Sequence, residues 1–395
     1  MGPRCMRGVL ALSVALVAIA LAPAAVLARC DRANGAAARS AAPFRFAAPV
    51  SSDIGANEMV ALVDVTGDGV LDVLACGDAG VSVGAATGKG RFGPPASLLS
   101  GRAVQDVVLR DVTGDGVGDL VAASDGQIRV LPGLPSGGFG SAVASQATTG
   151  TASLDAGDVN GDGKADVVES FSGGHSRGLS LQLGAGDGTF GAPAAIATPY
   201  ESFGPTLVDL DGDGRLDLVV YVNEFEEEYG AGVLLGDGKG GFGAMTTYNV
   251  GRGLEPADIE VGDMNGDDVP DLVVDMVLEG DTDLGILLGN GDGTFRVAGK
   301  SSVWSFHPAS YADEYFSIAL GDLDGDGKTD VAAARRRAIM VVRCDGSGGF
   351  LKTKRITLKD LKYPGVFAGD LDDDGLPDLV SSYSGWVHAR LNLTR

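Results

Sequence analysis

Short apolar stretches, separated by polar and glycine-rich segments, recur through the chain from about residue 43 to its end. Residues 104–109 and 218–221 are examples, both rich in Val and Leu and both bounded by Gly, Asp or polar residues. Runs of this length and composition are typical of β-strands. Outside the N-terminal segment, no window of a dozen residues shows the 3.6-residue period of a helix. The pattern therefore predicts an all-β protein.

A nonapeptide rich in aspartate occurs seven times among these stretches. Its pattern is Asp-x-(Asp/Asn/Thr)-x-Asp-x-x-x-Asp, and the first residues of the copies are Asp64, Asp111, Asp158, Asp209, Asp263, Asp322 and Asp370. An apolar stretch precedes each copy and another follows it. Because the copies are regularly spaced, one structural unit of about fifty residues is being reused.

A glycine-rich turn that ends in phenylalanine follows each of the first six nonapeptides. The phenylalanines are Phe92, Phe139, Phe190, Phe242, Phe295 and Phe350. No such turn follows the seventh nonapeptide. Residues 43–49 resemble the segment after Phe190, and they place Phe46 before the first nonapeptide at a similar interval. The repeat is therefore circularly permuted, and the N-terminal segment supplies the strand that the seventh unit lacks.

Four short strands in a unit of this length are typical of a propeller blade. Seven units with a divided last blade predict an all-β, seven-bladed β-propeller, closed by an N-terminal strand that completes the last blade. Closure by a shared strand leaves no exposed sheet edge. A six-bladed ring would require one of the seven Asp-rich nonapeptides to be spurious, and an eight-bladed ring would require one more to be hidden. A linear array of repeats is the alternative, and the permutation argues against it.

The combination of Asp-rich loops and F-G-x-x-P segments resembles the FG-GAP/VCBS repeats. This is the unit of the integrin α-subunit N-terminal propeller and of many exported bacterial proteins, and the resemblance covers residues 43–395. It implies a calcium-stabilised β-propeller. It does not imply an activity, since one fold hosts many functions.

The nonapeptide also has the chemistry of a calcium loop. Calcium binds six to eight oxygens, and the first half of an EF-hand loop supplies them from positions 1, 3 and 5 and from the backbone carbonyl at position 7. Here an aspartate at position 9 closes the cage early, so that a strand can follow. An all-oxygen donor set favours Ca²⁺ over zinc or copper. Asx turns without a metal are the alternative.

We therefore predict up to seven Ca²⁺ ions. The candidate ligands, loop by loop, are Asp64, Thr66, Asp68, Val70 and Asp72; Asp111, Thr113, Asp115, Val117 and Asp119; Asp158, Asn160, Asp162, Lys164 and Asp166; Asp209, Asp211, Asp213, Arg215 and Asp217; Asp263, Asn265, Asp267, Val269 and Asp271; Asp322, Asp324, Asp326, Lys328 and Asp330; Asp370, Asp372, Asp374, Leu376 and Asp378.

The charge balance agrees with this interpretation. The chain has 53 acidic and 30 basic residues, a formal net charge of −23, and about half of the acids lie in the seven loops. An acidic surface argues against nucleic acid as a partner. Loops one and two carry Thr at position 3, so they should release calcium before loops six and seven, which carry Asp there. Loop five replaces the glycine at position 6 with Asp268, a position that we expect to require a positive φ.

The N-terminus has the pattern of a secretory signal peptide. Arg4 and Arg7 precede an apolar stretch at residues 9–21, and residues 26–28 offer small side chains for cleavage after Ala28. We predict a signal peptide at 1–28, a flexible segment at 29–42 and the propeller at 43–395. An uncleaved anchor and lipid attachment at Cys30 are alternatives. The mature chain has no other long apolar segment, so we expect a secreted or extracytoplasmic monomer without a membrane span.

Neither cysteine nor histidine chemistry is indicated. Cys30, Cys76 and Cys344 permit one disulfide and one leftover thiol in an exported protein, and the sequence leaves the pairing open. The three histidines, His175, His307 and His388, fall at different places in three units. No nucleophile elbow, phosphate-binding loop or H-E-x-x-H motif occurs. The sequence therefore predicts no catalytic residues.

We interpret the chain as a non-enzymatic binding or adhesion module for an extracellular protein or glycan. A calcium-dependent carbohydrate-active enzyme such as a polysaccharide lyase is the alternative from another class. A lectin-like glycan binder, with one sugar site in each blade, is a third. Ca²⁺ is the only cofactor that the sequence predicts.

The ligand-binding surface is predicted from loop lengths. In an antiparallel blade the Asp-rich loops and the Gly-Phe turns share one face of the ring, and the extra residues of units three to six fall on the opposite face. Loops on a rigid scaffold commonly carry binding residues, and aromatic side chains dominate interfaces. The alternative is that these aromatic residues only pack the long loops. The candidates are Phe225, Tyr229, Trp304, Phe306, Tyr311 and Tyr315.

Overall fold

The structure, a computed structural model, describes residues 43–55, 59–173, 176–224, 228–252, 254–277, 281–305, 317–335, 338–357, 365–383 and 385–394. All regular secondary structure within these ranges is β-structure. The described ranges include no helix that is long and apolar enough to cross a membrane.

The described residues form thirty strands. The first fifteen are β1 (Val50–Asp53), β2 (Met59–Val63), β3 (Asp72–Gly77), β4 (Gly80–Gly84), β5 (Ala86–Gly88), β6 (Arg91–Phe92), β7 (Ala96–Ser100), β8 (Val104–Arg110), β9 (Asp119–Ser124), β10 (Gln127–Leu131), β11 (Val143–Gln146), β12 (Thr151–Gly157), β13 (Asp166–Gly173), β14 (Ser176–Gln182) and β15 (Ala194–Ile196). The others are β16 (Glu201–Val208), β17 (Asp217–Glu224), β18 (Glu228–Leu234), β19 (Thr246–Arg252), β20 (Leu254–Gly262), β21 (Asp271–Val277), β22 (Asp281–Gly289), β23 (Phe295–Ser305), β24 (Ser317–Gly321), β25 (Asp330–Arg335), β26 (Ala338–Cys344), β27 (Phe350–Thr357), β28 (Gly365–Gly369), β29 (Asp378–Tyr383) and β30 (Trp386–Arg390).

Seven four-stranded antiparallel sheets form the blades of a propeller. In chain order they are blade 1 (β2-β3-β4-β7), blade 2 (β8-β9-β10-β11), blade 3 (β12-β13-β14-β15), blade 4 (β16-β17-β18-β19), blade 5 (β20-β21-β22-β23), blade 6 (β24-β25-β26-β27) and blade 7 (β28-β29-β30-β1). Strands β5 and β6 form a small ribbon within the first Gly-Phe turn. The predicted all-β, seven-bladed propeller is confirmed.

The first and last segments of the chain close the ring in blade 7. Strand β1 pairs antiparallel with β30, with Val50 opposite Ala389. Just before this strand, Phe46 forms a bridge with Asn392. The same bridge joins glycine and phenylalanine in three continuous units, at Gly133 and Phe139, Gly184 and Phe190, and Gly236 and Phe242. Phe46 is therefore the turn phenylalanine of the seventh unit, as predicted, and the fourth strand itself lies just after residues 43–49.

The hydrophobic core is divided into seven clusters, each shared by two neighbouring blades. Because both faces of a blade are covered, all six residues of β9 are buried, and the strand shows no alternation of apolar and polar residues. The cluster that joins blades 7 and 1 contains Val73 and Ala75 on one side and Val380 and Val387 on the other. Burial of apolar surface at every blade boundary, including this last one, holds the ring together.

Hydrogen bonds between the first strands of neighbouring blades supplement this packing. In blades 2, 5 and 6, the side chain five residues before the Asp-rich loop accepts an amide N–H of the next blade's first strand. Asp106 accepts Leu154 N–H at 2.9 Å, and Asp258 accepts Ile318 N–H at 2.9 Å. In blade 3 the acceptor is Asp155, three residues before its loop, which accepts Leu207 N–H at 2.9 Å. Buried backbone donors need such partners because an unpaired N–H is costly.

The equivalent residue in blade 4 is Gly204, which has no side chain to offer. Its φ is +56°, and a Cβ there would lie 2.3 Å from Cε2 of Tyr221. The ring of Tyr221 uses this space, and its hydroxyl accepts the N–H of Ile259 in blade 5 at 2.6 Å. A tyrosine from the second strand thus replaces the missing side chain of the first.

Cys76 and Cys344 are buried free thiols, so these two cysteines are not paired with each other. Burial raises the pKa of both thiols above the usual value. Cys30 lies outside the described residues, as do the predicted signal peptide and the predicted flexible segment at 29–42.

Candidate metal-binding loops

Each Asp-rich loop connects the first strand of a blade to the second, and its first aspartate organises the turn. In loop three, Asp158 Oδ1 accepts the N–H of Gly161 at 2.7 Å, and Oδ2 accepts the N–H of Gly163 at 2.8 Å. The bond from position 6 to Oδ2 of position 1 recurs in all seven loops. The copies therefore share one backbone frame.

Positions 4 and 6 of the loops have positive φ angles. Glycine occupies them in most copies, since it adopts this conformation without strain. The exceptions are Asp268 at position 6 of loop five, with φ 63°, and Asp373 at position 4 of loop seven, with φ 60°. The positive φ expected at Asp268 is confirmed. Aspartate tolerates the left-handed region better than most residues.

The ninth aspartate ties the loop to the rest of its blade. In loop four, Asp217 is buried, and its Oδ2 accepts the N–H of Leu210 at 2.9 Å. Its Oδ1 accepts the N–H of Gly236, at the start of the Gly-Phe turn, at 2.8 Å. The equivalent residue is buried in the other six units too. Burial raises the pKa of Asp217 to about 6 and that of Asp330 to about 8, although the backbone donors act in the opposite direction.

Carboxylate oxygens converge in the loops that have Asp at position 3. Three carboxylates have oxygens within 4.8 Å of one another in each of loops four, six and seven: Asp209, Asp211 and Asp217; Asp322, Asp324 and Asp330; Asp370, Asp372 and Asp374. Each loop thus brings together three of its four predicted side-chain ligands in this way. In loop four the remaining one, Asp213, forms an ion pair with Arg215.

The donor set of these loops fits a hard divalent cation, because every available atom is oxygen. Loops one and two offer a neutral hydroxyl where the others have Asp or Asn. Thr66 Oγ1 in loop one is buried, and among the described residues it has no hydrogen-bond partner. A buried hydroxyl without a partner is unusual and is consistent with a ligand at that position.

Each loop lies at a boundary between blades, because the following unit covers it. The N–H of Gly138 in unit two donates to Val65 O in loop one at 2.9 Å, and Gly240 donates to Val159 O in loop three at 3.0 Å. At loop six the donor is Asn392 Nδ2, which lies 2.9 Å from Leu323 O. The loops therefore lie on one face of the ring, together with the Gly-Phe turns.

Loop six contains a contact that the sequence analysis missed. Arg343 Nε donates a hydrogen bond to Oδ2 of Asp324, the third residue of that loop, and both side chains are buried. Arg343 belongs to β26, far from the nonapeptide in sequence. Aligning the repeats on their turn phenylalanines could have singled it out, because units one to five have Ala, Pro or Leu seven residues before that phenylalanine.

The predicted ligand-binding aromatic residues are not tested by these contacts. Phe225, Phe306, Tyr311 and Tyr315 lie outside the described residues, as do His175 and His307. Tyr229 and Trp304 lie in β18 and β23, at the ends remote from the Asp-rich loops, and only their backbone is described. His388 lies in β30, where Nδ1 is 2.7 Å from Ser51 Oγ. Burial lowers the pKa of this histidine.

Comparison with protein families now identifies the repeat. Five segments match the FG-GAP-like repeat: residues 64–121, 111–169, 170–220, 274–333 and 322–381. Together they span more than half of the chain. The chain belongs to the FG-GAP repeat family. No curated protein matches this FG-GAP chain. Between the matched segments, the described residues of 221–273 contain the same blade elements, including loop five.

Among the solved structures that match, two illustrate the shared fold. One is a lectin of Agrocybe aegerita, described as recognising non-reducing terminal N-acetylglucosamine. It matches with a TM-score of 0.54 and 23% identity, over 77% of this chain and 81% of the lectin. The other is BBS1N, solved in complex with ARL6DN, with a TM-score of 0.53 and 10% identity, over 88% of this chain and 96% of that one. At these identities the similarity concerns the fold alone.

Proposed function

We propose that this FG-GAP propeller is an exported, calcium-binding module that captures an extracellular glycan or protein and catalyses no reaction. The observation that supports it most directly is the sevenfold repetition of one loop frame whose oxygen donors gather at the blade boundaries. Export rests on the signal-peptide pattern of residues 1–28.

Calcium has a structural role in this proposal. Each Asp-rich loop concentrates three to five acids that repel one another. A cation held by the side chains at positions 1, 3, 5 and 9 and by the carbonyl at position 7 would neutralise them. Because the loops lie under the turns of the following unit, calcium would also strengthen the contacts between blades. An ion that binds only the native state stabilises it.

Ligand capture is assigned to the face opposite the calcium loops. The ring is closed at every blade boundary and provides a rigid support for the connections on that face. The long connections of units three to six belong to this face because they join the second strand to the third, or the fourth strand to the next blade. The aromatic residues Tyr229 and Trp304 are the proposed anchors among residues whose backbone is described.

A glycan is the first ligand class to test. The Agrocybe aegerita lectin shares the fold and recognises non-reducing terminal N-acetylglucosamine. That fold can therefore present a sugar site, although the low identity transfers no residue of it to this chain. We place protein ligands second.

The test is binding of the mature chain to arrays of glycans and matrix proteins, with Ca²⁺ and with EGTA. We expect selective capture that EGTA weakens, and loss of capture in Trp304→Ala with little change in melting. Asp237→Asn, an exposed turn residue outside the loops, serves as the control. Absence of binding to every spotted ligand would contradict the module. Shortened glycan products would instead favour the carbohydrate-active enzyme.

A further inference from the structure

Loop six differs from the other six loops at position 3. The side chain of Asp324 has no exposed surface, whereas Thr66, Thr113, Asn160, Asp211 and Asn265 are half-buried and Asp372 is exposed. Position 3 supplies one of the side-chain oxygens that would face a cation. At loop six the whole side chain is therefore enclosed by the protein and its oxygen is paired, whereas the buried Thr66 Oγ1 of loop one has no hydrogen-bond partner among the described residues.

The group that encloses Asp324 is the guanidinium of Arg343. Arg343 Nε donates to Asp324 Oδ2, and the arginine side chain is itself only 8% exposed. Guanidinium–carboxylate pairs of this kind are strong because both partners are charged. A formal positive charge thus already lies against one of the four side-chain ligands of the loop.

The N-terminal segment holds the arginine in place. The guanidinium carbon lies 4.8 Å from the centre of the Phe44 ring, a favourable cation–π distance, and Phe44 is buried between blades 6 and 7. Lys354 Nζ donates to the carbonyl oxygen of Phe44. Phe44 lies two residues before Phe46, which closes the ring. The position of Arg343 is therefore linked to ring closure.

The repeat shows that this arrangement is particular to unit six. In every unit, the ninth aspartate's Oδ1 accepts a backbone N–H at the end of the third strand. The residues just before that donor are Ala85, Pro132, Leu183, Leu235, Leu288, Arg343 and Leu391. Arg343 is the only charged residue among the seven.

We infer that the Arg343 guanidinium is the resident cation of loop six, so that this loop binds no calcium while the ring is closed. Calcium would have to share Asp324 with a like charge, or separate a buried arginine from this buried carboxylate, and both are costly. This reverses the expectation from sequence, which placed loop six among the last to lose calcium. The inference rests on the calcium role proposed for the other loops.

The test counts bound Ca²⁺ per chain by equilibrium dialysis and metal analysis. Arg343→Leu gives unit six the residue found in units three and four, and we expect it to bind one more ion than the wild type. Arg177→Leu, which removes an exposed ion pair with Glu201, is the control and should leave the number unchanged. If Arg343→Leu and the wild type are both folded and bind the same number of Ca²⁺ ions per chain, the inference is overturned.

A second pair of variants decides the question if Arg343→Leu does not fold. Asp324→Ala and Asp211→Ala remove the side-chain oxygens at position 3 of loops six and four. We expect Asp211→Ala to lose one ion and Asp324→Ala to lose none. Loss of one ion in Asp324→Ala would overturn the inference. If the wild type and Asp211→Ala bind no calcium, the proposed function fails instead, and a gain of one ion in Arg343→Leu would still support the assignment of loop six.

Discussion

The hydroxyl of Tyr221 donates a hydrogen bond to the carboxylate of Asp258 across the boundary between blades 4 and 5, with 3.0 Å between Oη and Oδ1. The same hydroxyl accepts the N–H of Ile259, and the other oxygen of Asp258 accepts the N–H of Ile318 in blade 6. One tyrosine and one aspartate therefore connect the first strands of blades 5 and 6 to blade 4. Because all of these groups are buried, removal of one leaves the others without partners.

Tyr221→Phe should destabilise the protein. It keeps the ring beside Gly204 but leaves the Ile259 N–H unpaired and takes one donor from Asp258, which we expect to cost about 1–3 kcal/mol of unfolding free energy. Tyr248→Phe is the matched control, because Tyr248 also accepts an amide, that of Phe295 at 3.1 Å, but at a less buried position. Denaturant unfolding measures both. An equal or larger loss in Tyr248→Phe would contradict the role given to Tyr221.

The stability should also depend on pH through Asp258. Burial raises its pKa from the usual 3.8 to about 7 in the folded protein, and its charge also contributes to the raised pKa of Glu260. The folded state therefore holds this proton more tightly than the unfolded state. The stabilisation is complete below the unfolded pKa and is lost as the pH rises through the folded value.

Asp258→Asn isolates this contribution, since asparagine does not titrate. Between about pH 4 and 7, the wild type should lose stability relative to the variant, with a slope approaching about 1.4 kcal/mol per pH unit. Denaturant unfolding of the wild type and Asp258→Asn at fixed calcium and several pH values gives the difference in their unfolding free energies. The titration of the Asp-rich loops is common to both proteins and cancels in this difference. Asp237→Asn is the control, because Asp237 is exposed and its pKa lies below the usual value. Parallel profiles for wild type and Asp258→Asn would show that Asp258 keeps an ordinary pKa.

The repeated features were predictable from the sequence because local chemistry determines them. In each loop, Asp at positions 1 and 9 accepts hydrogen bonds mostly from nearby backbone N–H groups, and the residues at positions 4 and 6 adopt positive φ angles. The nonapeptide therefore specifies most of its own backbone conformation. The closure was predictable for a related reason. Phe46 stands in a segment that resembles the other Gly-Phe turns, and it makes the same bridge.

Contacts between distant segments were not predictable in this way. The hydrogen bond from Tyr221 to Asp258 joins the second strand of one blade to the first strand of the next, and its reason is the missing side chain of Gly204. Arg343 and Asp324 likewise meet only after the blade has folded. No local period marks such pairs. An arginine among the leucines of a repeat position is a usable signal only when the units are aligned.

Removal of calcium should lower the melting temperature. For each site that binds only the native state, free Ca²⁺ at a hundredfold excess over Kd contributes about 2.7 kcal/mol. Melting in Ca²⁺ and in EGTA tests this, and identical midpoints would contradict it.

At limiting calcium, crystals should show loops one and two, with Thr66 and Thr113, emptying before loop seven, with Asp372. Equal occupancy of these loops would contradict the ranking by carboxylate number.

The ring closure gives the last prediction, and Phe190 offers its matched control. Phe46 and Phe190 occupy the same position in units seven and three, both are half-buried, and both bridge to the end of the third strand. In unit three the chain is continuous across the turn, so Phe190→Ala removes packing but leaves β15 tethered to its blade. In unit seven only non-covalent contacts hold the N-terminal segment to β30.

Phe46→Ala should therefore cost more than Phe190→Ala. Loss of its packing weakens the pairing of Val50 with Ala389, and release of β1 exposes the edge of β30 to other chains. We expect a lower melting temperature, faster proteolysis near residue 50 and a tendency to self-associate, and deletion of residues 43–53 should make all three effects stronger. A deletion variant that remains a monomer with wild-type melting would show that the ring does not depend on its N-terminal strand. Similar decreases in melting temperature in Phe46→Ala and Phe190→Ala would mean that Phe46 contributes packing alone.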